Sequence, residues 1–329
     1  MTDQTSPASE QRLDQLREQA WNKGVVGGRG VDVRGGPIPR KPGYYGQPIV
    51  KPPVWTWEIP VYFFVGGLAG MAAIIALAAL AFHYLDLARA AMWLAVIGAI
   101  LSPILLTMDL GRPRLFMNML RVFKYKSPMS VGAWILTVFG ACAGPGLIAL
   151  EVHAHQIFSG TLDQFVRVAA DLLIFGSAFL GMFLATYTGV LIGATAIPAW
   201  FLHRVFLPIH FGTAGLGSAA ALLELLGHRI APLNAIGFFA AAVESALWVW
   251  LEIDRHDAAD RALHEAGSGW LIRGGEVFSG PVALLLRLTN LIPLAAISFL
   301  FGALISRLGW ALAGSISGCD PEAVLASQR

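Results

Sequence analysis

Glu58 and Tyr62 are the first residues whose types and spacing could support chemistry. They lie four positions apart in the segment WTWEIPVYFF, so on a helix they share one face. There a carboxylate can accept a proton while a phenol donates a hydrogen bond to a ligand carbonyl. The alternative for Glu58 is structural, because an acidic residue at a helix start interacts favourably with the helix dipole.

A second constellation follows at residues 109–114, with the sequence DLGRPR. Asp109 would end a helix and lie beside Arg112 and Arg114, which predicts a charge-paired turn with spare hydrogen-bond donors. Such a turn could hold a polar head group or the backbone of a partner. The alternative is a helix stop whose arginines extend to the membrane interface.

Asp171 and Glu244 are acidic residues at the head of one apolar run and inside another. An acid within a membrane is a functional candidate because its burial is costly. Either residue could therefore belong to a proton path. The alternative for both is pairing with a neighbouring helix.

The elements that must position these residues are transmembrane helices. Of the 329 residues, 56% are apolar and only 13% are charged, against about 25% charged in soluble domains. This composition excludes a soluble globular enzyme. Apolar runs long enough to span a bilayer, which takes about 20 residues, predict an all-α polytopic helix bundle with seven spans, at 59–82, 90–108, 129–150, 172–192, 205–223, 230–251 and 288–305.

Residues 270–306 leave an eighth span open. This region is too long for one straight span, but two spans would have almost no connecting turn, so we expect a short, partly interfacial helix at 277–287. The domain organisation is then a polar arm rich in Gly and Pro at 1–53, a transmembrane domain at 54–310 and a polar tail at 311–329.

Basic residues predict which side of the membrane the amino terminus occupies. Lys and Arg are concentrated in the amino-terminal arm and the second loop, and the positive-inside rule places both in the cytoplasm. The counted residues are Arg40, Lys41, Lys51, Arg112, Arg114, Arg121, Lys124 and Lys126, against Arg89, Arg167 and Arg229 on the other side.

Charge and cysteine content exclude several partners and cofactors. A net charge of +2 gives no general attraction to nucleic acid. Cys142 and Cys319 are the only cysteines, and without a CxxC pair they predict no Cys-ligated iron–sulfur cluster, zinc site or c-type haem. Most histidines fall in loops or at helix ends, which disfavours haem b. We therefore expect no covalently or metal-bound cofactor in this chain.

Three long motifs resemble one family. WEIPVYFFVGGLAG in the first span is followed by DLGRPRLFMNMLRVFKYKSPMSVGAW after the second, and YTGVLIGATAIPAW closes the fourth. Together they resemble the NrfD family, the membrane subunits of polysulfide reductase and related complexes, over roughly residues 53–251.

The resemblance implies a membrane anchor in the bacterial cytoplasmic membrane that carries no redox cofactor of its own. Such an anchor binds menaquinone or ubiquinone as an exchangeable ligand and passes electrons to a docked ferredoxin-like iron–sulfur subunit. That subunit usually connects to a molybdopterin or other redox catalytic subunit. Transferred by motif, Glu58 and Asp109 become the proton acceptors, and Tyr62, Arg112 and Tyr187 contact the quinone.

Two other functions stay open from the residues. Glu244, Asp171 and the interrupted stretch at 193–198 also suit a secondary transporter or proton-translocating protein. A purely structural anchor, which attaches a soluble complex to the membrane without contacting quinone, is the other alternative.

Overall fold

The computed structural model describes residues 48–53, 55–109, 116, 120–254, 261–264 and 267–327. In these ranges the regular structure is helical, and seven helices are long and apolar enough to cross a membrane. This confirms the predicted all-α polytopic bundle. The seven are α1 (Glu58–Ala81), α2 (Leu85–Asp109), α3 (Pro128–Ala154), α4 (Thr161–Gly193), α6 (Phe206–Leu225), α7 (Ala231–Ile253) and α11 (Ile292–Cys319), and the short helices α5 (Pro198–Leu202) and α8 (Arg261–His264) connect them.

Two of the spanning helices are longer than the apolar runs predict. The α4 helix has 33 residues, about 50 Å at 1.5 Å per residue, whereas the hydrocarbon core is about 30 Å thick. It therefore begins outside the apolar layer, at Thr161 rather than near 172. The α11 helix continues past the predicted end at 305 to Cys319. There Asp320 caps the short helix α12 (Pro321–Ala326) by accepting hydrogen bonds from the backbone N–H groups of Glu322 and Ala323.

Residues 267–288 form one helix without a break, which we call the composite helix. It consists of α9 (Gly267–Val277), a π turn (Phe278–Val282) and α10 (Ala283–Leu288). Pro281 lies in the π turn; proline lacks a backbone N–H and clashes with the preceding turn, so the helix widens there instead of ending. The expectation of a short helix at 277–287 was therefore wrong, because the helix begins ten residues earlier.

The composite helix supplies an eighth crossing. It packs antiparallel to α11, with Gly309 against Ile272 and Ser298 donating a hydrogen bond of 2.7 Å to the Phe278 carbonyl. At the far end of α11, Ser315 donates a hydrogen bond of 3.2 Å to the carbonyl of Pro53. The last helix therefore ends on the face where the first begins, which requires an even number of crossings.

Close backbone contacts between glycines hold the spans together. A Cβ atom at Gly70 of α1 would overlap the backbone of Gly181 in α4, and one at Gly215 of α6 would lie 2.9 Å from the carbonyl oxygen of Gly67. Small residues allow this approach, and van der Waals packing then favours association within lipid. The α1 and α6 helices are accordingly the most buried spans, since 67% and 72% of the residues in their most apolar stretch are buried.

A buried ion pair fixes the end of the composite helix. Arg287 donates two hydrogen bonds to the carboxylate of Glu224 in α6, at 2.8 and 2.7 Å, and a third of 2.7 Å to the side-chain oxygen of Asn234 in α7. Both charged side chains are almost fully buried. Because the pair is bidentate and has an additional acceptor, its geometry offsets much of the desolvation cost.

The contact between α1 and α4 predicts that Gly70→Ala will destabilise the bundle. The added methyl group meets the Gly181 backbone, which cannot move as a side chain would, so we expect a loss of about 1–3 kcal/mol in the free energy of unfolding. Gly144→Ala in α3 is the matched control, since a Cβ there meets nothing within 4 Å. Thermal unfolding in detergent measures both, and equal midpoints for the two variants would contradict the contact.

Eight crossings predict that both ends of the described chain face the same side. In a background with Cys142 and Cys319 replaced by alanine, Lys51→Cys and Glu322→Cys should react with a membrane-impermeant maleimide from one face. Ser159→Cys, in the exposed loop between α3 and α4, should react from the other. Labelling of Glu322→Cys together with Ser159→Cys would show seven crossings.

Candidate functional site

Four helix ends meet at one membrane face. Because successive spans alternate in direction, α1 and α3 begin where α2 and α4 end. Glu58 is the first residue of α1 and Asp109 the last of α2, while Tyr187 lies near the end of α4. The aromatic rings of Trp55 and Trp200 stack with centroids 5.0 Å apart, which ties the segment before α1 to the loop region after α4.

Thr56 brings the two predicted carboxylic acids together. Its hydroxyl hydrogen-bonds to Oε2 of Glu58 and lies 3.1 Å from Oδ1 of Asp109. Glu58 is only 3% exposed, and Asp109 is half-buried. One hydroxyl has one proton, so it can donate to only one carboxyl group at a time.

Tyr62 and Tyr187 form the second pair of the site. Their phenol oxygens are hydrogen-bonded to each other, and Tyr62 is 1% exposed. Gly132 of α3 lies directly against the Tyr187 ring, where a Cβ atom would overlap it. The bond between the phenols uses one of their two hydroxyl protons, so one donor is left for another oxygen.

Two buried hydroxyl groups accompany the tyrosines. Ser102 and Thr188 have side-chain oxygens that are buried and make no hydrogen bond within the described ranges. A Cβ atom at Gly66 would lie 3.6 Å from both Ser102 Oγ and the Tyr62 ring, which places Ser102 beside the tyrosine pair. Unsatisfied polar groups of this kind are uncommon in protein interiors and mark places where a ligand or water can bind.

An open apolar groove lies on α2 just before its last residue, Asp109. Pro103, Ile104, Thr107 and Met108 line this groove of about 420 Å³. Ile104 and Met108 are about half exposed and lie on the outer surface of the helix. Thr107 does not compete for a ligand because its hydroxyl donates to the Pro103 carbonyl at 2.6 Å. A hydrophobic chain in the bilayer can therefore lie against α2 within one helical turn of Asp109.

The other predicted site residues lie elsewhere. Arg112, like residues 1–47 of the amino-terminal arm, falls outside the described residues. Asp171 is exposed on α4, sixteen residues before Tyr187, which corresponds to about 24 Å along the helix. It is therefore remote from the carboxyl pair.

Glu244 belongs to a separate polar cluster in the carboxyl-terminal half. It is fully buried, and its carboxylate contacts Nδ1 of His210 at 2.7 Å and the hydroxyl of Thr213. Nε2 of His210 lies 2.9 Å from Ser306 Oγ. The Glu244 side chain therefore pairs with neighbouring helices, which is the structural alternative given for it in the sequence analysis.

Sequence reasoning missed Thr56 and Ser102. Each had a weak signal, since Thr56 is two residues before Glu58, and Ser102 is seven residues before Asp109 and so shares its face of a helix. The histidines were considered only as haem ligands, although the position of His210 within a span was a reason to seek an acidic partner.

A family model described as polysulphide reductase, NrfD, matches residues 49–308. The match covers most of the chain and includes Thr56, Glu58, Tyr62, Asp109 and Tyr187. No curated protein matches the chain.

Proposed function

We propose that this chain, which belongs to the NrfD polysulphide reductase family, exchanges electrons between membrane quinone and a docked iron–sulfur subunit. It is a multi-pass membrane protein and a membrane subunit of a respiratory-type oxidoreductase. The observation that carries the proposal is the Thr56 hydroxyl group between Glu58 and Asp109, where Asp109 directly follows the residues that line the apolar groove on α2.

The groove and the polar groups suit the two parts of a quinol. Its isoprenoid tail would lie against Pro103, Ile104 and Met108, where the groove is apolar. Its ring would then meet carboxyl groups that accept protons and a phenol that has a proton to donate. Membrane-facing apolar surface next to a few convergent polar groups is typical of a site for such a ligand.

The residues divide the chemistry as follows. Oxidation of a quinol releases two electrons and two protons; the electrons leave to the iron–sulfur subunit, and the protons need acceptors within hydrogen-bond reach. Glu58 and Asp109 accept the proton of the nearer hydroxyl group and release it to the adjacent membrane face. Tyr187, held by Tyr62, orients the other oxygen and relays its proton to the same carboxyl groups, taking up one proton as it gives up its own. The reverse sequence reduces quinone, so the partner's potential sets the direction.

The iron–sulfur subunit docks on the face that carries Glu58 and Asp109, because electrons must leave the site over a short distance. The loop at 120–127 supports this side, since Phe123 and Tyr125 are 56% and 73% exposed beside exposed Lys124 and Lys126. Exposed aromatic side chains are enriched at protein interfaces, and the neighbouring lysines suit an acidic partner surface. A molybdopterin or other redox subunit completes the complex, and the membrane is the bacterial cytoplasmic membrane with the amino-terminal side in the cytoplasm.

Purification from its own membrane in mild detergent, through a tag on the carboxyl terminus, tests the assembly. We expect a cysteine-rich, iron-containing subunit and a larger redox subunit to co-purify, together with bound quinone. If the chain purifies alone and free of quinone, the proposal fails, and transport becomes the better explanation of its buried acids.

Glu58→Gln and Asp109→Asn should each slow quinol oxidation by about 100-fold or more, since each removes a proton acceptor, while the complex stays assembled. Turnover with a soluble quinol and an artificial acceptor provides the measurement. Asp86→Asn is the matched control: Asp86 is exposed at the opposite end of the same helix as Asp109. Wild-type rates in both site variants of an intact complex would favour the structural anchor.

Ile104→Trp should raise the KM for a long-tailed quinol several-fold by filling the groove, with little change in kcat because the carboxyl pair is untouched. Ile97→Trp is the control, since Ile97 lies seven residues earlier on the same face of α2 and is similarly exposed. Steady-state kinetics compare the two variants with both long-tailed and tailless quinols. Equal KM values for the two variants would remove the groove from the proposed site.

A further inference from the structure

Glu276 of the composite helix is buried without a partner. Its side chain is fully inaccessible, and neither carboxyl oxygen makes a hydrogen bond within the described part of the chain. The indole of Trp310 faces the carboxyl group, but its Nε1 does not reach hydrogen-bonding geometry. Glu276 differs in this respect from Glu224 and Glu244, which are buried with donors on their oxygens.

The position of Glu276 is defined by tight contacts on both sides. A Cβ atom at Gly275 would lie 2.8 Å from the carbonyl oxygen of Gly302 in α11, and one at Gly280 would lie 2.9 Å from the backbone nitrogen of Ser245 in α7. Glu276 is thus held where α7 and α11 meet the composite helix. It lies two residues before Phe278, where the π turn begins. Such turns are frequent at functional sites.

The neighbouring charges are already balanced without Glu276. Arg307 interacts electrostatically with Glu244 and donates a 2.8 Å hydrogen bond to the Phe211 carbonyl. Arg273, one turn before Glu276, forms an ion pair of 2.9 Å with Glu252. The titratable and charged groups around Glu276 come from four helices: His210 from α6, Glu244 and Glu252 from α7, Arg273 from the composite helix itself and Arg307 from α11. Arg261 of the adjacent α8 pairs instead with Asp320 and Glu322.

Among the described residues, an ionised carboxylate in this place would have neither a cation of its own nor a hydrogen bond. Burial of such a charge is far more costly than burial of a neutral carboxylic acid. We propose that Glu276 is an internal proton-binding site, whose carboxyl group holds one proton that exchanges with the membrane face carrying Arg273 and Glu252.

The site is built to pass this proton on. Glu244 lies within electrostatic range of Glu276 and is joined to His210 by a 2.7 Å contact. Arg273 and Glu252, each about 30% exposed, connect Glu276 to the solvent of the same face as Glu58 and Asp109. The inference does not depend on quinone binding.

Infrared spectroscopy of the purified chain or complex at neutral pH tests the proposal directly. We expect a carbonyl band of a protonated carboxylic acid that shifts in heavy water and on isotopic labelling of glutamate. Glu276→Gln should lose one such band while keeping the wild-type unfolding temperature, because the amide replaces a neutral acid of the same shape. Glu252→Gln is the control and should retain the band.

Two results would overturn the proposal. One is a wild-type protein without a glutamic acid band, a result that needs no variant to fold. The other is a folded Glu276→Gln variant with the wild-type set of acid bands. The infrared measurement does not depend on quinol turnover. If the Glu58→Gln variant disproves the quinone proposal, the test of Glu276 therefore still stands.

Discussion

Polar groups within a bilayer must find partners inside the protein, because lipid offers none. This constraint organises the bundle. At one face, Thr56 joins Glu58 to Asp109, which connects the beginning of α1 to the end of α2. At the other, Arg287 joins the composite helix to Glu224 of α6 and Asn234 of α7. Arg287, which interrupts an apolar run of the sequence, therefore helps to fix which helices are neighbours.

Close packing makes those polar contacts accurate. Gly70 against Gly181 and Gly67 against Gly215 bring α4 and α6 into backbone contact with α1. Gly132 in turn leaves space for the Tyr187 ring, which reaches Tyr62 across the bundle. Since small residues let helices approach until their backbones touch, the phenols of Tyr62 and Tyr187 are held on rigid helices rather than on loops.

Much of this arrangement could be predicted from the sequence, and the remainder has a physical explanation. Long apolar runs predicted the spans because the thickness of the bilayer sets their length. The composite helix escaped prediction because Arg273, Glu276 and Arg287 interrupt its apolar pattern, and two of these charges are balanced by Glu252 and Glu224, which are distant in sequence. A run of residues does not reveal which distant side chain will neutralise a charge. Thr56 escaped for a similar reason, since an isolated threonine has no periodicity.

The contact between the two ends of the transmembrane region has a consequence for biogenesis. Ser315, near the end of the last span, hydrogen-bonds to Pro53, and Gly318 packs against Pro52. The membrane face beside Glu58 is therefore completed only after the final span has left the ribosome and entered the bilayer. A chain stopped before α11 would present an unfinished surface. Such a chain would also lack the contacts that hold Pro52 and Pro53 at this face.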